Sequence, residues 1–314
     1  MTDASWRLHT SAGARACTGG AGFAIFLFVL ALCPGAARAD DLIGAVAAYT
    51  TKARDTLLDI ARQHDIGFVA IRAANPSVDP WVPGSGRRIV IPGAHLLPNA
   101  PHLGIVINLP ELRLYYFPEG QGAPMSFPVG IGDEGKGTPL GLTEVVRKKV
   151  HPTWIPTPSE RQENPELPAI VGPGPDNPMG EYALYLGWTG YAIHGSNKPY
   201  SVGRRDSHGC IRMYPEDVAV LFRIVEPGTP VVVINQPVKT GWHKHELYLE
   251  IHPDLQDANR IEAGDGLRLR PALVDALIRK ALQPDHLDRV DWSAVRTAGF
   301  QRRGVPIRVT YSER

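Results

Sequence analysis

The chain has 314 residues, of which 43% are hydrophobic, 21% charged and 8% aromatic, as in folded proteins with one large or two smaller cores. Lys and Arg total 33 against 32 Asp and Glu, so the chain lacks the excess positive charge with which proteins bind nucleic acid or anionic membranes. With 29 prolines and 32 glycines, turns and short strands are expected rather than a helical bundle.

The first 39 residues have the features of an export signal. Two arginines precede an apolar run from Ala21 to Cys33, and Ala37-Arg38-Ala39 has the small-x-small pattern of a signal-peptidase site. The run is shorter than the roughly 20 residues that span a bilayer. We therefore expect cleavage after Ala39, a periplasmic protein and no permanent transmembrane segment. The alternatives are an uncleaved anchor and a lipoprotein modified at Cys33, where the preceding Leu32 is larger than that processing prefers.

Residues 49–92 predict a small strand-helix-helix-strand unit. Tyr49-Thr50 starts extended, an Asp or Thr cap then opens a helix, and a second helix follows over 67–74. The closing strand is predicted over 88–91, stopped by Pro92.

This unit resembles a LysM module. The resemblance rests on a tyrosine-led strand, Asp55-Thr56-Leu57, Ile60-Ala61, Asn75-Pro76 and Ile91-Pro92. It implies that residues 45–93 bind the N-acetylglucosamine-containing glycan of peptidoglycan. The usual glycine before Asp-Thr-Leu is Arg54 here, and a purely structural cap on the larger domain is the alternative.

From Leu103 onwards the sequence is rich in short β-forming runs separated by turn residues, which predicts a mainly β, β-sandwich-like domain over residues 100–237. A helix is predicted after Pro215, and the proline-rich segment 152–178 is expected to form an irregular loop near a substrate cleft. The C-terminal extension, residues 238–314, has no assigned role; a strand, a helix and a strand are predicted over 247–251, 272–282 and 307–311. The predicted strands of the larger domain are 103–109, 112–117, 126–131, 143–150, 182–186, 191–194 and 229–234.

Loss of the leader leaves Cys210 as the single cysteine, so no intramolecular disulfide is expected. It lies in Ser207-His208-Gly209-Cys210-Ile211-Arg212, and His194 lies sixteen positions earlier in Ile193-His194-Gly195. A thiol attacks as thiolate, so an imidazole that takes its proton, here His194, would leave a reactive ion pair with a lowered Cys210 pKa. The amides of Gly209 and Cys210 are the expected oxyanion donors, and Arg212 can bind a substrate carboxylate or steady the turn.

Three other interpretations of these residues stay open at the level of sequence. Cys210 can be an inert core residue, or His194, His208 and Cys210 can ligate zinc, although two of these are only two positions apart and no CxxC or HxxxH adds ligands. The stretch 130–136 imitates a phosphate-binding loop, but Gly137 replaces the required Ser or Thr. We therefore expect no nucleotide, no cofactor and no metal.

The spacing of the histidine from Ser-His-Gly-Cys resembles the signature of the L,D-transpeptidases, the YkuD-like family. The resemblance covers about residues 103–237. It implies a cysteine enzyme of the cell envelope that cleaves the diaminopimelate–D-Ala bond of a tetrapeptide stem and forms a thioester. An amine then resolves the thioester, either diaminopimelate for a 3→3 crosslink or a lysine of an outer-membrane lipoprotein. Further stretches that support it are 130–132, 138–141, 173–178 and 191–197.

The resemblance also implies site roles. Cys210 and His194 are the expected catalytic pair, with the backbone carbonyl of Gly195 orienting the imidazole and His208 as a further catalytic candidate. The family often has Asn two positions after the cysteine, where this chain has Arg212. This departure from Asn resembles the periplasmic Gram-negative members. Two alternatives stay open, an L,D-carboxypeptidase with water as acceptor and a non-catalytic glycan-binding protein. The expected substrate-binding residues are Ser207, Tyr191 and Arg212.

Overall fold

The computed structural model describes residues 40–120, 122–265 and 288–311, which belong to one compact unit. The predicted signal peptide, residues 1–39, and the predicted helix 272–282 lie outside these ranges. Within them, no helix combines the length and the apolar character needed to cross a bilayer.

The N-terminal unit is a two-stranded antiparallel sheet with two helices, in the predicted order. Its elements are β1 (Leu42–Thr50), α1 (Leu57–Gln63), α2 (Phe68–Ala74) and β2 (Arg88–Leu96). The Thr56 hydroxyl caps α1 by accepting from the Asp59 amide. The unit has its own apolar core, which includes Leu57, Ile60, Ile71 and Ile89.

Both strands of this unit are longer than predicted. β2 continues through Pro92, which lies opposite Val46 of β1. In a two-stranded sheet every strand is an edge, so a proline is tolerated where the missing N–H would face away from the partner. The prediction that Pro92 stops the strand was therefore wrong.

The larger domain is built on one eight-stranded mixed sheet with the order β11-β9-β8-β7-β12-β3-β4-β5. All seven predicted strands are present within it, with bounds that differ by a few residues. A separate parallel pair joins β6 to β10. The strands are β3 (Gly104–Asn108), β4 (Arg113–Phe117), β5 (Met125–Pro128), β6 (Ile131–Gly132), β7 (Gly141–Val150), β8 (Tyr182–Leu186), β9 (Ala192–His194), β10 (Arg205–Ser207), β11 (Ile211–Arg212) and β12 (Pro230–Ile234).

The sheet curls because β7 belongs to both of its halves. Residues 141–144 pair with β12, whereas residues 145–150 pair with β8, and the register shifts between Val145 and Arg147. Side chains from both halves, such as Leu114 and Leu184, share one apolar core. The domain is thus mainly β as predicted, but a single curled sheet takes the place of the two packed sheets of a sandwich.

Two helices flank the sheet, α3 (Pro158–Glu163) and α4 (Pro215–Ile224). The helix predicted after Pro215 is α4, which buries Val218 and Leu221 in the shared core. α3 was not predicted; it lies inside the proline-rich segment and begins with a capping box between Thr157 and Glu160.

The C-terminal extension forms a three-stranded antiparallel sheet, β13 (Val238–His243), β14 (Glu246–Ile251) and β15 (Ile307–Arg308). Helices α5 (Leu255–Ala263) and α6 (Trp292–Gln301) accompany it. The predicted strand 247–251 corresponds to β14, and the predicted strand 307–311 is shortened to β15. β13 and both helices were missed.

Candidate active site

Two short parallel strands bring the predicted thiol and imidazole to one face of the sheet. β9 and β11 pair with Ile193 opposite Ile211 and His194 opposite Arg212, and Cys210 immediately precedes β11. Because alternate residues of a strand share a face, Cys210 and Arg212 lie on the same side as His194. All three line one cleft of about 1040 Å³.

His194 is held in one tautomer by the backbone. Its Nδ1 lies 2.6 Å from the carbonyl oxygen of Gly195, which can only accept, so Nδ1 carries the hydrogen and Nε2 of the neutral ring has the free lone pair. The side chain is buried. Burial and the charge of Arg212 lower the pKa of His194 to about 4. Hydrogen bonds to the backbone of Gly195 and Met179 act in the opposite direction but have a smaller effect.

Cys210 is a free, half-buried thiol whose Sγ lies 3.5 Å from the carbonyl oxygen of Gly190. Burial raises its pKa, although the Ala192 amide and the Arg212 charge favour the thiolate. The prediction of a lowered Cys210 pKa is therefore corrected. Since the pKa of His194 is also low, the resting pair at neutral pH is a neutral thiol and a neutral imidazole.

The turn before Cys210 is held together by Ser207. The buried Ser207 hydroxyl donates to the Cys210 carbonyl at 2.7 Å and accepts from the Gly209 amide at 3.1 Å. The Gly209 carbonyl accepts from Thr138 Oγ1 at 2.8 Å. Ser207, expected to bind substrate, thus uses its hydroxyl within the turn.

The same hydrogen bonds bear on the predicted oxyanion donors. The Gly209 amide already donates to Ser207, whereas the Cys210 amide donates to no group within the described ranges. Gly209 has φ +106°, and a Cβ there would lie 2.7 Å from Cε1 of Tyr191. Only glycine fits this position.

His208 faces helix α3. Its Nε2 lies 3.0 Å from Glu163 Oε2 and 3.0 Å from Lys136 Nζ, and its Nδ1 lies 3.5 Å from Glu160 Oε1. Lys136 also contacts Glu163. These contacts make His208 part of the cleft wall and link the turn to α3.

The remaining predicted residues also line the cleft. Arg212 pairs with Asp206 at 2.5 Å, and Tyr191 packs edge-on against Trp188. Arg147 and Lys149 of β7 line the same cleft and were missed by the sequence reasoning. Their alternate positions on a strand were the available signal, but the sequence does not show which face of β7 meets the cleft.

The zinc interpretation finds no geometric support. Among the described residues, one group of His, Cys, Asp or Glu side chains has donor atoms close enough to hold a metal. It consists of His95, Glu111 and Glu250, and it does not include His194, His208 or Cys210. The loop that imitates a phosphate-binding motif follows β6 as a turn, with no helix over 133–140.

A thiol and a neutral imidazole that line one cleft are groups that can act as nucleophile and general base. Residues 103–233 match the family described as the L,D-transpeptidase catalytic domain, YkuD. The probable L,D-transpeptidase YbiS of Escherichia coli K12 is 40% identical over 256 residues, 79% of this chain and 81% of that protein. The probable L,D-transpeptidase YcfS of the same strain is 44% identical over 207 residues, 63% of this chain and 65% of that protein.

The chain therefore belongs to the YkuD family of L,D-transpeptidases. Among solved structures, the catalytic domain of the Enterococcus faecium L,D-transpeptidase is 27% identical and covers 44% of this chain and 100% of that domain, with a TM-score of 0.35. Family membership rests on the sequence relatives.

Proposed function

We propose that this chain is a periplasmic peptidoglycan L,D-transpeptidase with Cys210 as nucleophile and His194 as general base. The observation that carries the proposal is the placement of both side chains on one face of paired strands, with His194 Nδ1 fixed on the Gly195 carbonyl. Nε2 is thereby available to the thiol. The proposed substrate is a tetrapeptide stem, consistent with the family and with the predicted export signal.

The first half-reaction forms a thioester. Cys210 Sγ attacks the carbonyl carbon that links diaminopimelate to the terminal D-Ala, and the thiol proton passes to His194 Nε2. The tetrahedral oxyanion accepts a hydrogen bond from the Cys210 amide. Collapse breaks the C–N bond, and His194 returns the proton to the departing D-Ala amine. Because both groups are neutral at rest, proton transfer accompanies attack instead of preceding it.

The second half-reaction transfers the acyl group. An amine attacks the thioester carbonyl, His194 takes a proton from it, and the Cys210 thiol is restored. A diaminopimelate side chain as acceptor gives a 3→3 crosslink, and a lipoprotein lysine gives an anchored protein. A cleft of about 1040 Å³ has room for a donor and an acceptor peptide segment.

Basic side chains in the cleft supply the proposed contacts to the carboxylates of the stem. Arg212, Arg147 and Lys149 all line it. The Arg147 guanidinium lies 3.8 Å from the centre of the Tyr185 ring, which limits its freedom and prepares it for a bidentate contact. Tyr191, whose ring lies beside Gly209, is a further proposed contact to the donor peptide.

Glycan binding is proposed for the N-terminal unit, residues 45–93, in its role as a LysM-like module. Trp81 and Val82, between α2 and β2, are 59% and 75% exposed. An exposed indole can stack on a sugar ring. Retention of the protein on purified peptidoglycan, and its loss in Trp81→Ala with Phe300→Ala as an exposed aromatic control, tests this assignment.

The products formed from purified tetrapeptide muropeptides test the catalytic proposal. Mass spectrometry should show released D-Ala and crosslinked dimers with the wild-type protein and none with Cys210→Ala. Tripeptide monomers alone would instead identify an L,D-carboxypeptidase. Unchanged substrate, together with glycan retention, would identify a non-catalytic glycan-binding protein.

A further inference from the structure

A buried polar cluster lies at the junction of the three parts of the chain, outside the cleft. His95 comes from β2 of the N-terminal unit, Glu111 from the turn between β3 and β4, and Glu250 from β14 of the C-terminal extension. All three are buried, with 4%, 4% and 0% of their surface exposed. Burying three ionisable side chains next to one another costs free energy unless each charge has a partner.

One buried lysine lies between the two carboxylates. Lys239, itself fully buried, lies 2.9 Å from Glu111 Oε2 and 3.1 Å from Glu250 Oε2.

Each carboxylate turns its other oxygen towards His95. His95 Nδ1 lies 3.3 Å from Glu111 Oε1 and 3.7 Å from Glu250 Oε1, and it has no hydrogen-bond partner within the described residues although it is buried. A buried imidazole nitrogen without a partner, aimed between two carboxylate oxygens, is unusual for a purely structural histidine.

These separations match the edges of a metal coordination shell. Ligand bonds of about 2.0–2.2 Å around tetrahedral zinc place neighbouring donor atoms about 3.3–3.6 Å apart. The three donor atoms of His95, Glu111 and Glu250 all lie within 4.8 Å of one another. We propose that these three residues bind a divalent transition-metal ion, for which zinc is the natural probe.

The surrounding groups are those that orient metal ligands. Tyr115 donates its hydroxyl hydrogen to Glu111 Oε1, and His252 Nε2 lies 2.7 Å from Glu250 Oε1. The Leu96 amide donates to Glu250 Oε2 at 2.6 Å, and Asn108 Nδ2 donates to Glu111 Oε2 at 3.0 Å. Such outer contacts fix the carboxylates in place before a metal arrives. The bound ion would join the three parts of the chain, so its role is structural.

Metal content and its dependence on His95 test the proposal. The untagged protein is prepared with Cys210→Ala, so that the free thiol binds no zinc, stripped with chelator, dialysed against zinc and assayed by elemental mass spectrometry. We expect about one zinc per chain, at least tenfold weaker retention in His95→Gln, and no change in His243→Gln, a histidine paired with Asp40 on the surface. Chelator should lower the melting temperature of the His95 protein but not of His95→Gln.

Two results would overturn the proposal. One is a folded Cys210→Ala protein that retains no zinc, which would leave the cluster as a network of hydrogen bonds and ion pairs. The other is equal retention by His95→Gln. Should His95→Gln fail to fold, cobalt(II) added to the stripped Cys210→Ala protein decides, because cobalt in a tetrahedral site absorbs visible light far more strongly than the octahedral aqua ion. Absorption no stronger than that of the free ion would overturn the proposal.

Discussion

The Nδ1 atom of His194 lies 2.6 Å from the carbonyl oxygen of Gly195, the residue that follows it. A backbone carbonyl thus performs the orienting role that a carboxylate has in many triads. Unlike a carboxylate it carries no full charge, so it does not hold the imidazolium form. Burial and Arg212 can therefore lower the pKa of His194 to about 4.

This value predicts the acid limb of the pH profile. The base acts only when neutral, so kcat/KM should fall on acidification near pH 4 and not near the ordinary histidine value of 6.5. The measurement is kcat/KM for D-Ala release against pH, with separate checks that the protein stays folded. An acid limb near 6.5 would contradict the described environment of His194.

Arg212 should tune both members of the pair. Its positive charge lowers the pKa of His194 and that of Cys210, so Arg212→Met should raise both. We expect slower alkylation of Cys210 by iodoacetamide at mildly alkaline pH and an acid limb of activity shifted upwards. Alkylation does not depend on substrate binding, which separates this effect from a lost substrate contact. Arg223→Met, an exposed arginine of α4, is the control and should leave the alkylation profile unchanged.

Gly209 should tolerate no side chain. Gly209→Ala combines a positive φ, which costs about 1–2 kcal/mol for a residue with a Cβ, with a contact of 2.7 Å to the Tyr191 ring. Displacement of the turn should reduce kcat about 10²-fold or more, since the Cys210 amide and sulfur move with it. Gly135→Ala is the matched control, because it shares the positive φ of +78° but would meet no atom within 4 Å. Equal activity losses in the two variants would contradict the steric explanation.

Asp217 of α4 should make the stability depend on pH. Burial, helped by Asp65 and Glu216, raises its pKa to about 7 from an ordinary 3.8. The folded chain therefore holds this proton more tightly than the unfolded chain, and its contribution to stability is present below about pH 4 and lost as the pH rises through about 7.

The isosteric Asp217→Asn variant removes this titration. It should be more stable than wild type above pH 7, by about 2 kcal/mol, with the advantage absent near pH 4. Urea unfolding at both pH values measures it, and Asp288→Asn, an exposed carboxylate, serves as the control. An advantage of equal size at both pH values would show that the effect is not the buried charge.

The strand runs and the local signature could be predicted from the sequence because each depends on neighbouring residues. Thr143–Val150 reads as a strand whatever surrounds it, and Ser-His-Gly-Cys is contiguous. The raised Cys210 pKa could not be predicted, since it depends on burial that only the folded cleft creates. The hydrogen bonds of the Ser207 hydroxyl to the Cys210 carbonyl and the Gly209 amide also depend on the folded turn, so the sequence does not predict them.

Contacts between residues that are far apart in the sequence could not be predicted either. Strand β13 was missed because its own residues have only a weak β-strand pattern. The strand is defined by its pairing with β14, in which Val238 lies opposite Ile251. The burial of Lys239 beside two glutamates carries no signal in the sequence, since isolated charges are normally solvated. Arg147 and Lys149 were missed because the face of β7 that meets the cleft is decided by the curl of the sheet.

Capture of the acyl-enzyme tests the central claim most directly. Brief incubation with a tetrapeptide stem, acid quenching and peptide mass spectrometry should locate a thioester on Cys210 after loss of D-Ala. His194→Gln, which keeps the size but not the basic nitrogen, should form it about 10²–10⁴-fold more slowly. An adduct on another residue, or a rate of Cys210 acylation that is unchanged in His194→Gln, would contradict the account.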